Sequence, residues 1–212
     1  MYKPYFSTEI RKNYLYRLVE EYSFGTLVYP GNTQTLEIAH LPFLLDRQHG
    51  SQGTLLSHIA RANPLADLFV AAKEAVVIFQ GPHGYISPSW YASREEVPTW
   101  NYSVVHARGI PRLVPDVELI AILGSLVEKY EQGHSDPWRL SELPADLFEE
   151  MRTQIVGFTV EITSLEGKFK LSQNRSLEDR RGAIAGVGKR GNPLDRNLAA
   201  MMSETLQKVD EK

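Results

Sequence analysis

The sequence contains no cysteine among its 212 residues. This absence excludes disulfide bonds, thiolate nucleophiles and cysteine-ligated metals. The sequence also has no apolar run approaching the roughly 18 residues that a bilayer-spanning helix needs. Its first residues, MYKPYFSTEIRKNYLYRL, lack the apolar core of a secretory signal. These absences predict a cytoplasmic protein with no membrane segment.

Neither sign of charge is in large excess: 23 Lys and Arg residues face 26 Asp and Glu residues, for a net charge of −3. This balance argues against a protein whose whole surface tracks nucleic acid. The length suits one large domain with an appended segment. We predict a main domain over residues 1–175 and a helical C-terminal extension over 176–212.

Alternating apolar residues and turn signals predict a series of short strands. They fall at 24–29, 35–46, 54–59, 75–81, 103–114 and 156–172, and helical spacing falls at 8–22, 64–74, 116–132, 144–154 and beyond 174. Most connections between successive strands are too short for crossovers, so these strands are expected to pair antiparallel. The predicted fold class is α+β, an antiparallel small barrel with peripheral helices.

Common catalytic signatures are scarce. The stretch GVGKRG at 186–191 has the glycine spacing of a dinucleotide-binding loop. That loop follows a strand, whereas the sequence before residue 186 is polar and helical in character. We therefore predict that GVGKRG is a break between two helices. Six histidines are scattered, and none shows the spacing of a helical zinc site. We predict no metal site, although histidines in or beside strands leave haem open as an alternative.

The stretch SHIARANP at 57–64 joins a predicted strand to a predicted helix. Ser57, His58 and Arg61 lie just before that helix, where backbone N–H groups, a hydroxyl and a guanidinium suit an anion such as phosphate. Asn63 and Pro64 read as the helix start. The same residues are typical of an ordinary capped polar loop, and the pattern leaves both interpretations open.

The stretch GPHGYISPSWYASREEVPTWNY at 81–102 concentrates aromatic residues where prolines and glycines interrupt regular structure. Trp90, Tyr91, Trp100 and Tyr102 suit the wall of a site for a flat ligand, or a lid that closes the core. A phosphate loop together with an aromatic wall describes a cofactor with an anionic tail and a planar head, such as flavin mononucleotide (FMN).

Six motifs together resemble the PaiB-type family of FMN-binding proteins. They are IAHLPF (38–43), SHIARANP (57–64), FQGPHGYISPSWY (79–91), VPTWNY (97–102), IVGFTVEI (155–162) and KLSQNR (170–175). The resemblance, which covers most of the chain, implies an FMN-binding split β-barrel. It also implies a homodimer with flavin at the subunit interface. Some family members are named as negative transcriptional regulators, so flavin-linked redox activity and transcriptional regulation are both expected functions.

The resemblance also implies which residues contact the cofactor. Phosphate contacts fall on Ser57, His58 and Arg61, with Asn63 nearby. Ring or ribityl contacts, including a motif that approaches from the partner subunit, fall on Ala39, His40, Trp100, Asn101, Tyr102, Lys170, Gln173, Asn174 and Arg175. No residue must act as a general acid or base, and His83, Tyr85 and His106 are candidates only, which leaves enzymatic turnover open.

Residues beyond 184 match no family motif. The segment 175–196 carries six cations against three carboxylates, and such a pattern indicates either a solvated helix face or a local nucleic-acid contact. The sequence therefore leaves two alternatives to a flavin-linked redox protein: a DNA-binding regulator without turnover, and a haem-binding or haem-degrading barrel.

Overall fold

The computed structural model describes residues 1–93 and 96–207, and within them it contains an eight-stranded sheet and six α-helices. The strands are β1 (Thr8–Glu9), β2 (Phe24–Pro30), β3 (Leu36–Pro42), β4 (Leu44–Asp46), β5 (Thr54–Ala60), β6 (Ala75–Ile86), β7 (Thr99–Leu113) and β8 (Ile155–Lys170). The helices are α1 (Lys12–Glu21), α2 (Leu65–Leu68), α3 (Asp116–Glu131), α4 (Ala145–Thr153), α5 (Leu177–Lys189) and α6 (Pro193–Gln207).

The sheet runs in the order β3-β2-β6-β7-β8-β5-β4, with β1 paired to β8. The pairs β2–β3, β2–β6, β4–β5 and β5–β8 are antiparallel. The strands at the two ends of this order, β3 and β4, are separated along the chain by Phe43 alone. The sheet must therefore curl until its ends meet, which makes it a barrel, as the sequence predicts.

The residues form two compact units. The first, called here the barrel unit, comprises Val19–Phe79 and His106–Leu165; the second, the terminal unit, comprises Met1–Leu18, Gln80–Val105 and Glu166–Lys212. Helix α1 and strands β6, β7 and β8 contribute residues to both. The domain boundary predicted after residue 175 stays a prediction.

Phenylalanine rings fill the barrel unit. The ring of Phe43, between β3 and β4, packs edge-on against Phe79 at a centroid distance of 5.7 Å and against Phe158 at 6.2 Å. All three side chains are almost fully buried. Gly25 on β2 leaves the space for this cluster, because a Cβ there would lie 2.9 Å from the ring of Phe79. The alternation of β2 thus turns its small and apolar residues toward one core.

Three element boundaries differ from the sequence prediction. The first helix begins at Lys12 instead of Thr8, because Thr8 pairs with Lys168 in the sheet. Strand β6 continues through Gly81 and Pro82 to Ile86, since the missing side chain of Gly81 lets Ser103 of β7 approach. Helix α5 also continues through most of GVGKRG, so the break between α5 and α6 is only residues 190–192.

Among the described residues, no helix is both long and apolar enough to cross a membrane.

Candidate functional site

Arg61 follows β5 in the barrel unit and is held from one side. Its Nε donates to the carbonyl of Thr153 at 2.7 Å, and its Nη2 donates to the carbonyl of Ile155 at 3.1 Å. A guanidinium has five N–H donors, so about three remain for other acceptors. Arg61 is exposed, and its orientation is fixed by these two carbonyls. It presents an oriented cation to solvent.

The neighbours of Arg61 are less available to a ligand than the sequence predicts. Ser57 is fully buried, and its hydroxyl donates to the carbonyl of Pro42 at 2.7 Å. The side chain of Asn63 accepts from the N–H of Leu65 at 3.0 Å. The helix predicted at 64–74 is also much shorter, because α2 has four residues and a 3₁₀ turn follows it. So short a helix has a small dipole, and Arg61 becomes the main candidate for phosphate contact.

His58 carries a buried nitrogen that nothing in the structure satisfies. Its Nδ1 is inaccessible, and no described residue forms a hydrogen bond with it. Burial lowers the pKa of His58, because desolvation disfavours the imidazolium. The ring is therefore neutral near neutral pH, and its Nδ1 is a buried polar atom of the kind that usually has a partner.

Ala39 and His40 lie on opposite faces of β3, because side chains alternate along a strand. Ala39 points into the barrel core and is buried. The His40 side chain is exposed, with its Nδ1 3.0 Å from the hydroxyl of Thr26 and its ring 6.5 Å from that of Phe24. The structure does not bring these two side chains to one surface.

In the terminal unit, the same alternation separates Asn101 from its two aromatic neighbours. Asn101 is fully buried, and its Nδ2 donates to Ser172 Oγ at 2.9 Å. Its Oδ1 has no hydrogen-bond partner in the part of the chain that the structure describes. Trp100 and Tyr102 lie on the outward face of β7, and Trp100 is 55% exposed.

The outward face of the terminal unit adds His83, Tyr85 and Lys168 to the predicted cofactor contacts Trp100, Tyr102 and Lys170, and of these six only Lys168 was not a candidate from the sequence. The ring of Trp100 lies 6.4 Å from the rings of both His83 and Tyr85. Lys168 Nζ lies 5.4 Å from the ring centroid of Tyr102. The signal in the sequence was alternation: residues 83 and 85, 100 and 102, and 168 and 170 occupy outward positions on three strands. We call this surface the ring-and-lysine face.

Lys170 and Gln173 of the KLSQNR motif differ in their hydrogen-bond partners. Lys170 donates to the hydroxyl of Thr99. Burial lowers the pKa of Lys170, and the neighbouring cations Lys168 and Arg175 lower it further. The Gln173 side chain bonds the backbone of its own turn, accepting from the N–H of Leu171 at 2.7 Å and donating to the carbonyl of Phe169. Lys170 is thus available for charge stabilisation, whereas Gln173 shapes the turn.

The end of the motif is held by the aromatic stretch. Ser172 has a left-handed backbone with φ of 65°, which is uncommon for a residue with a side chain. Asn174 is exposed, and Arg175 pairs with Glu96 and lies 5.4 Å from the ring centroid of Tyr91. The hydroxyl of Tyr91 is buried, and no group among residues 1–93 and 96–207 forms a hydrogen bond with it.

Trp90 has a packing role. A Cβ on Gly186 of α5 would lie 2.2 Å from the Trp90 ring, and a Cβ on Gly182 would lie 2.0 Å from its carbonyl oxygen. The guanidinium of Arg190 lies 5.4 Å from the ring centroid. The indole therefore lies against a helix whose glycines leave room for it. Of the two interpretations of the aromatic stretch, core packing describes Trp90, and exposure on a binding surface describes Trp100.

The predicted site residues divide between the two units. The barrel unit contains Ala39, His40, Ser57, His58, Arg61 and Asn63, and the terminal unit contains Trp100, Asn101, Tyr102, Lys170, Gln173, Asn174 and Arg175. In residues 1–93 and 96–207, no three histidine or carboxylate side chains group closely enough to hold a metal ion.

Comparison with known proteins gives matches of two kinds. A family model described as "Putative FMN-binding domain" matches residues 1–164. The chain is 35% identical over 208 residues to "Protease synthase and sporulation protein PAI 2" of Bacillus subtilis (strain 168), a match that covers 98% of this chain and 99% of that protein.

Two solved structures share the fold. The FAD and haem binding protein from Mycobacterium smegmatis gives a TM-score of 0.60 at 14% identity, covering 77% of this chain and 73% of that chain. Flavocytochrome Anf3 from Azotobacter vinelandii gives a TM-score of 0.58 at 12% identity, covering 80% of this chain and 72% of that chain. These similarities confirm the predicted fold class.

Proposed function

We propose, from the premise that the chain belongs to the PaiB-type family of FMN-binding domains, that it binds FMN as a homodimer and acts in flavin-linked redox chemistry or regulation. Two sets of residues carry the proposal. The phosphate set is Arg61 with His58, in the barrel unit. The ring set lies in the terminal unit and consists of Trp100, Tyr102 and Lys170. In the homodimer, KLSQNR would approach the flavin from the partner subunit.

The structure has an exposed ring that suits a flavin. Buried polar atoms in folded proteins nearly always have partners, yet His58 Nδ1, Asn101 Oδ1 and the Tyr91 hydroxyl have none. Asn101 Oδ1 lies on the inward side of β7, opposite Trp100, so a ring stacked on Trp100 would not contact it. Trp100 offers an exposed indole for stacking. The residues therefore fit the cofactor that the family description names.

The observation that carries the choice of FMN is the Arg61 guanidinium. Two carbonyls fix it, and its remaining N–H groups are suited to a phosphate. Bound flavin would supply hydride or electron transfer at its N5 atom. Lys170 would stabilise the negative charge that develops on the reduced ring.

Replacing Arg61 with alanine is expected to weaken FMN binding by about 1.5–3 kcal/mol, the range for losing a charge-assisted hydrogen bond. Riboflavin, which has no phosphate, should bind the variant and the wild type equally. Fluorescence titration of the apoprotein with each ligand measures both affinities. Unaltered FMN affinity in the variant would contradict the phosphate assignment.

The Arg61 variant needs a control for folding, because Arg61 also bonds two carbonyls. Arg47→Ala removes another exposed arginine of the barrel unit, whose partner is the carboxylate of Glu20. It should leave FMN affinity unchanged. Urea unfolding of both variants separates loss of stability from loss of a ligand contact.

The homodimer proposal rests on an apolar sheet face of the barrel unit. Phe24, Leu36 and Ile38 are 69%, 63% and 58% exposed. The register places Val28 opposite Ile38 and Val76 opposite Val28, so these side chains share one face. Its β3 edge has no acidic or basic side chain pointing outward except His40. A largely apolar face whose β3 edge carries no lysine, arginine or carboxylate pointing outward complements a second copy of itself, which is the geometry of a two-fold dimer.

Ile38→Lys is expected to raise the dimer dissociation constant at least about 100-fold, since each subunit would bury an unpaired lysine in the interface. Analytical ultracentrifugation measures this constant. Val117→Lys, on the exposed side of α3, is the matched control and should remain dimeric. A dimer in the Ile38 variant as tight as that of the wild type would exclude this face.

The regulator alternative is favoured by the name of the Bacillus subtilis relative, which concerns protease synthesis and sporulation. The basic segment 175–196 gives it little support. Arg175 pairs with Glu96, Arg190 pairs with Asp195, and Arg180 is buried. A gel shift on promoter DNA that weakens steeply with salt would establish DNA binding. Without it, flavin-linked redox chemistry is the function that the residues support.

The haem alternative is separated from flavin by absorbance. Flavin gives a band at about 450 nm, whereas added haem gives a Soret band, and each requires the protein to hold the corresponding group. A Soret band that survives gel filtration, without flavin binding, would replace the FMN proposal.

A further inference from the structure

Helix α3 contains a glycine that packing does not explain. Gly124 lies near the middle of this helix of 16 residues, and a Cβ added there would have no atom within 4 Å. By contrast, Gly182 and Gly186 of α5 leave room for Trp90. Because glycine is unfavourable inside a helix, Gly124 costs stability, and it leaves beside α3 a space that no described residue fills.

That space belongs to a cavity of about 710 Å³ within the barrel unit, a size typical of small-molecule sites. One wall of the cavity is α3, and the other is the segment 137–141. Gly133, with φ of 93°, reverses the chain after α3. The backbone N–H of Trp138 then donates to Glu131 Oε2 at 2.9 Å, which holds Trp138 at the cavity. None of the predicted flavin contacts lines this cavity.

The charges of the cavity wall are balanced. Two acidic and two basic side chains line the cavity: Glu128, Lys129, Glu131 and Arg139. Two of the four are already engaged. Besides its hydrogen bond to the backbone of the facing segment, Glu131 Oε2 lies 3.2 Å from Nδ1 of His134. Lys129 Nζ lies 5.5 Å from the ring centroid of Tyr130 and is attracted by the carboxylate of Glu20.

The other two charged side chains of the wall, Glu128 and Arg139, have no partner. No described residue forms a hydrogen bond or ion pair with the Glu128 carboxylate or with the Arg139 guanidinium. The nearby carboxylate of Glu142 accepts from the backbone N–H of Arg139. Glu128 and Arg139 lie on different walls of the cavity and do not pair with each other. One molecule that carries both an ammonium and a carboxylate can therefore satisfy both charges.

We propose that this cavity binds a free α-amino acid with a large apolar side chain. Its ammonium group donates to Glu128, and its carboxylate accepts from Arg139. Its side chain packs against the indole of Trp138, which is 39% exposed. Such a ligand has no net charge, which matches the balanced wall, and Gly124 leaves room for it beside α3. The site is separate from Arg61 and from the ring-and-lysine face, and it does not depend on flavin binding.

The test compares L-phenylalanine with 2-phenylethylamine, which lacks the carboxylate, and with 3-phenylpropionate, which lacks the amine. Calorimetric titration of the full chain is expected to show L-phenylalanine binding at least about tenfold more tightly than either, the scale of one charge-assisted contact. Arg139→Gln should make L-phenylalanine and phenylethylamine equal, whereas Glu128→Gln should make L-phenylalanine and phenylpropionate equal. Both side chains are exposed, so both variants should fold. Glu118→Gln, on the same helix but outside the cavity, should retain both preferences.

Gly124→Ala provides a second test, in which stability and binding should change in opposite directions. The urea midpoint should rise, because alanine favours the helix, while binding of L-phenylalanine should weaken, because the new methyl group enters the cavity. Gly188→Ala in α5 also adds a Cβ with no atom within 4 Å, and it should leave the binding unchanged. Equal binding of all three ligands to the wild type, no binding of L-phenylalanine, or unchanged binding in Gly124→Ala would overturn the proposal. Preferences that persist in both charge variants would also overturn it.

Discussion

Replacing Trp90 with alanine is expected to lower the free energy of unfolding by about 3 kcal/mol, the low end of the range for truncating a packed tryptophan. The low end applies because Trp90 is only partly buried. Its ring occupies the space beside α5 that a side chain at Gly186 would otherwise fill. The variant therefore leaves a void beside α5. Urea unfolding of the apoprotein measures the loss, and flavin affinity should stay near the wild-type value.

Trp100→Ala is the matched variant and should show the opposite pattern. Because Trp100 is 55% exposed, its truncation leaves no cavity and should change stability little. Flavin affinity should fall by about 1–2 kcal/mol, the scale of one lost stacking contact. If Trp90→Ala instead lowers flavin affinity at unchanged stability, the indole of Trp90 belongs to the cofactor site and the packing role is wrong.

The two tryptophans show what the local sequence could predict. Both lie in a stretch rich in proline and glycine, which predicts that their rings have special environments but not which ones. The partner of Trp90 is the pair Gly182 and Gly186, about 90 residues away along the chain. Gly186 belongs to the stretch predicted as a break between helices, whereas Gly182 precedes it. Glycine is unfavourable inside a helix, and its presence at position 186 is explained by the Trp90 ring, which lies where a side chain would be.

The fold was predicted better than the site, because the fold follows from local sequence patterns whereas the site depends on contacts between residues far apart in the sequence. Strand alternation and short connections are local, and they predicted the antiparallel barrel. Arg61 was correctly placed after β5, but its two carbonyl partners lie at 153 and 155. The buried, unbonded atoms His58 Nδ1 and Asn101 Oδ1 could not be predicted from residue spacing either. Whether they are hydrogen-bonded depends on the positions of residues that are distant in the sequence.

Counting charges along the chain does not show which side chains of the segment 175–196 are paired, for a similar reason. Its excess of cations predicts an exposed basic surface only if the side chains are unpaired. Arg190 is instead bound to Asp195 through both its Nε and Nη2, and its Nη1 donates to the carbonyl of Tyr85 at 2.9 Å. One arginine thus joins α6 to β6, and the ring of Trp90 lies close to it.

Removing the carboxylate from this junction by Asp195→Ala is expected to cost about 3 kcal/mol of unfolding free energy, because it leaves the Arg190 charge partly buried and unpaired. Asp195 is 5% exposed, and its carboxylate also accepts from the side chain of Asn192. Three hydrogen bonds would therefore be lost together. The loss should depend little on salt, since a buried pair is weakly screened. Urea unfolding at low and high salt measures both effects.

Glu20→Ala is the control: it breaks an ion pair of similar geometry that is more exposed, so the difference between the two variants measures the effect of burial. Glu20 also binds an arginine through two nitrogens, Arg47 Nε and Nη2, but both side chains of that pair are more exposed. Its removal should cost about 0.5 kcal/mol, as for surface pairs, and the cost should shrink with salt. A loss at Asp195 no larger than that at Glu20 would mean that the Tyr85 carbonyl and the Trp90 ring hold Arg190 without the carboxylate. The junction of α6 with β6 would then depend on packing instead of on charge.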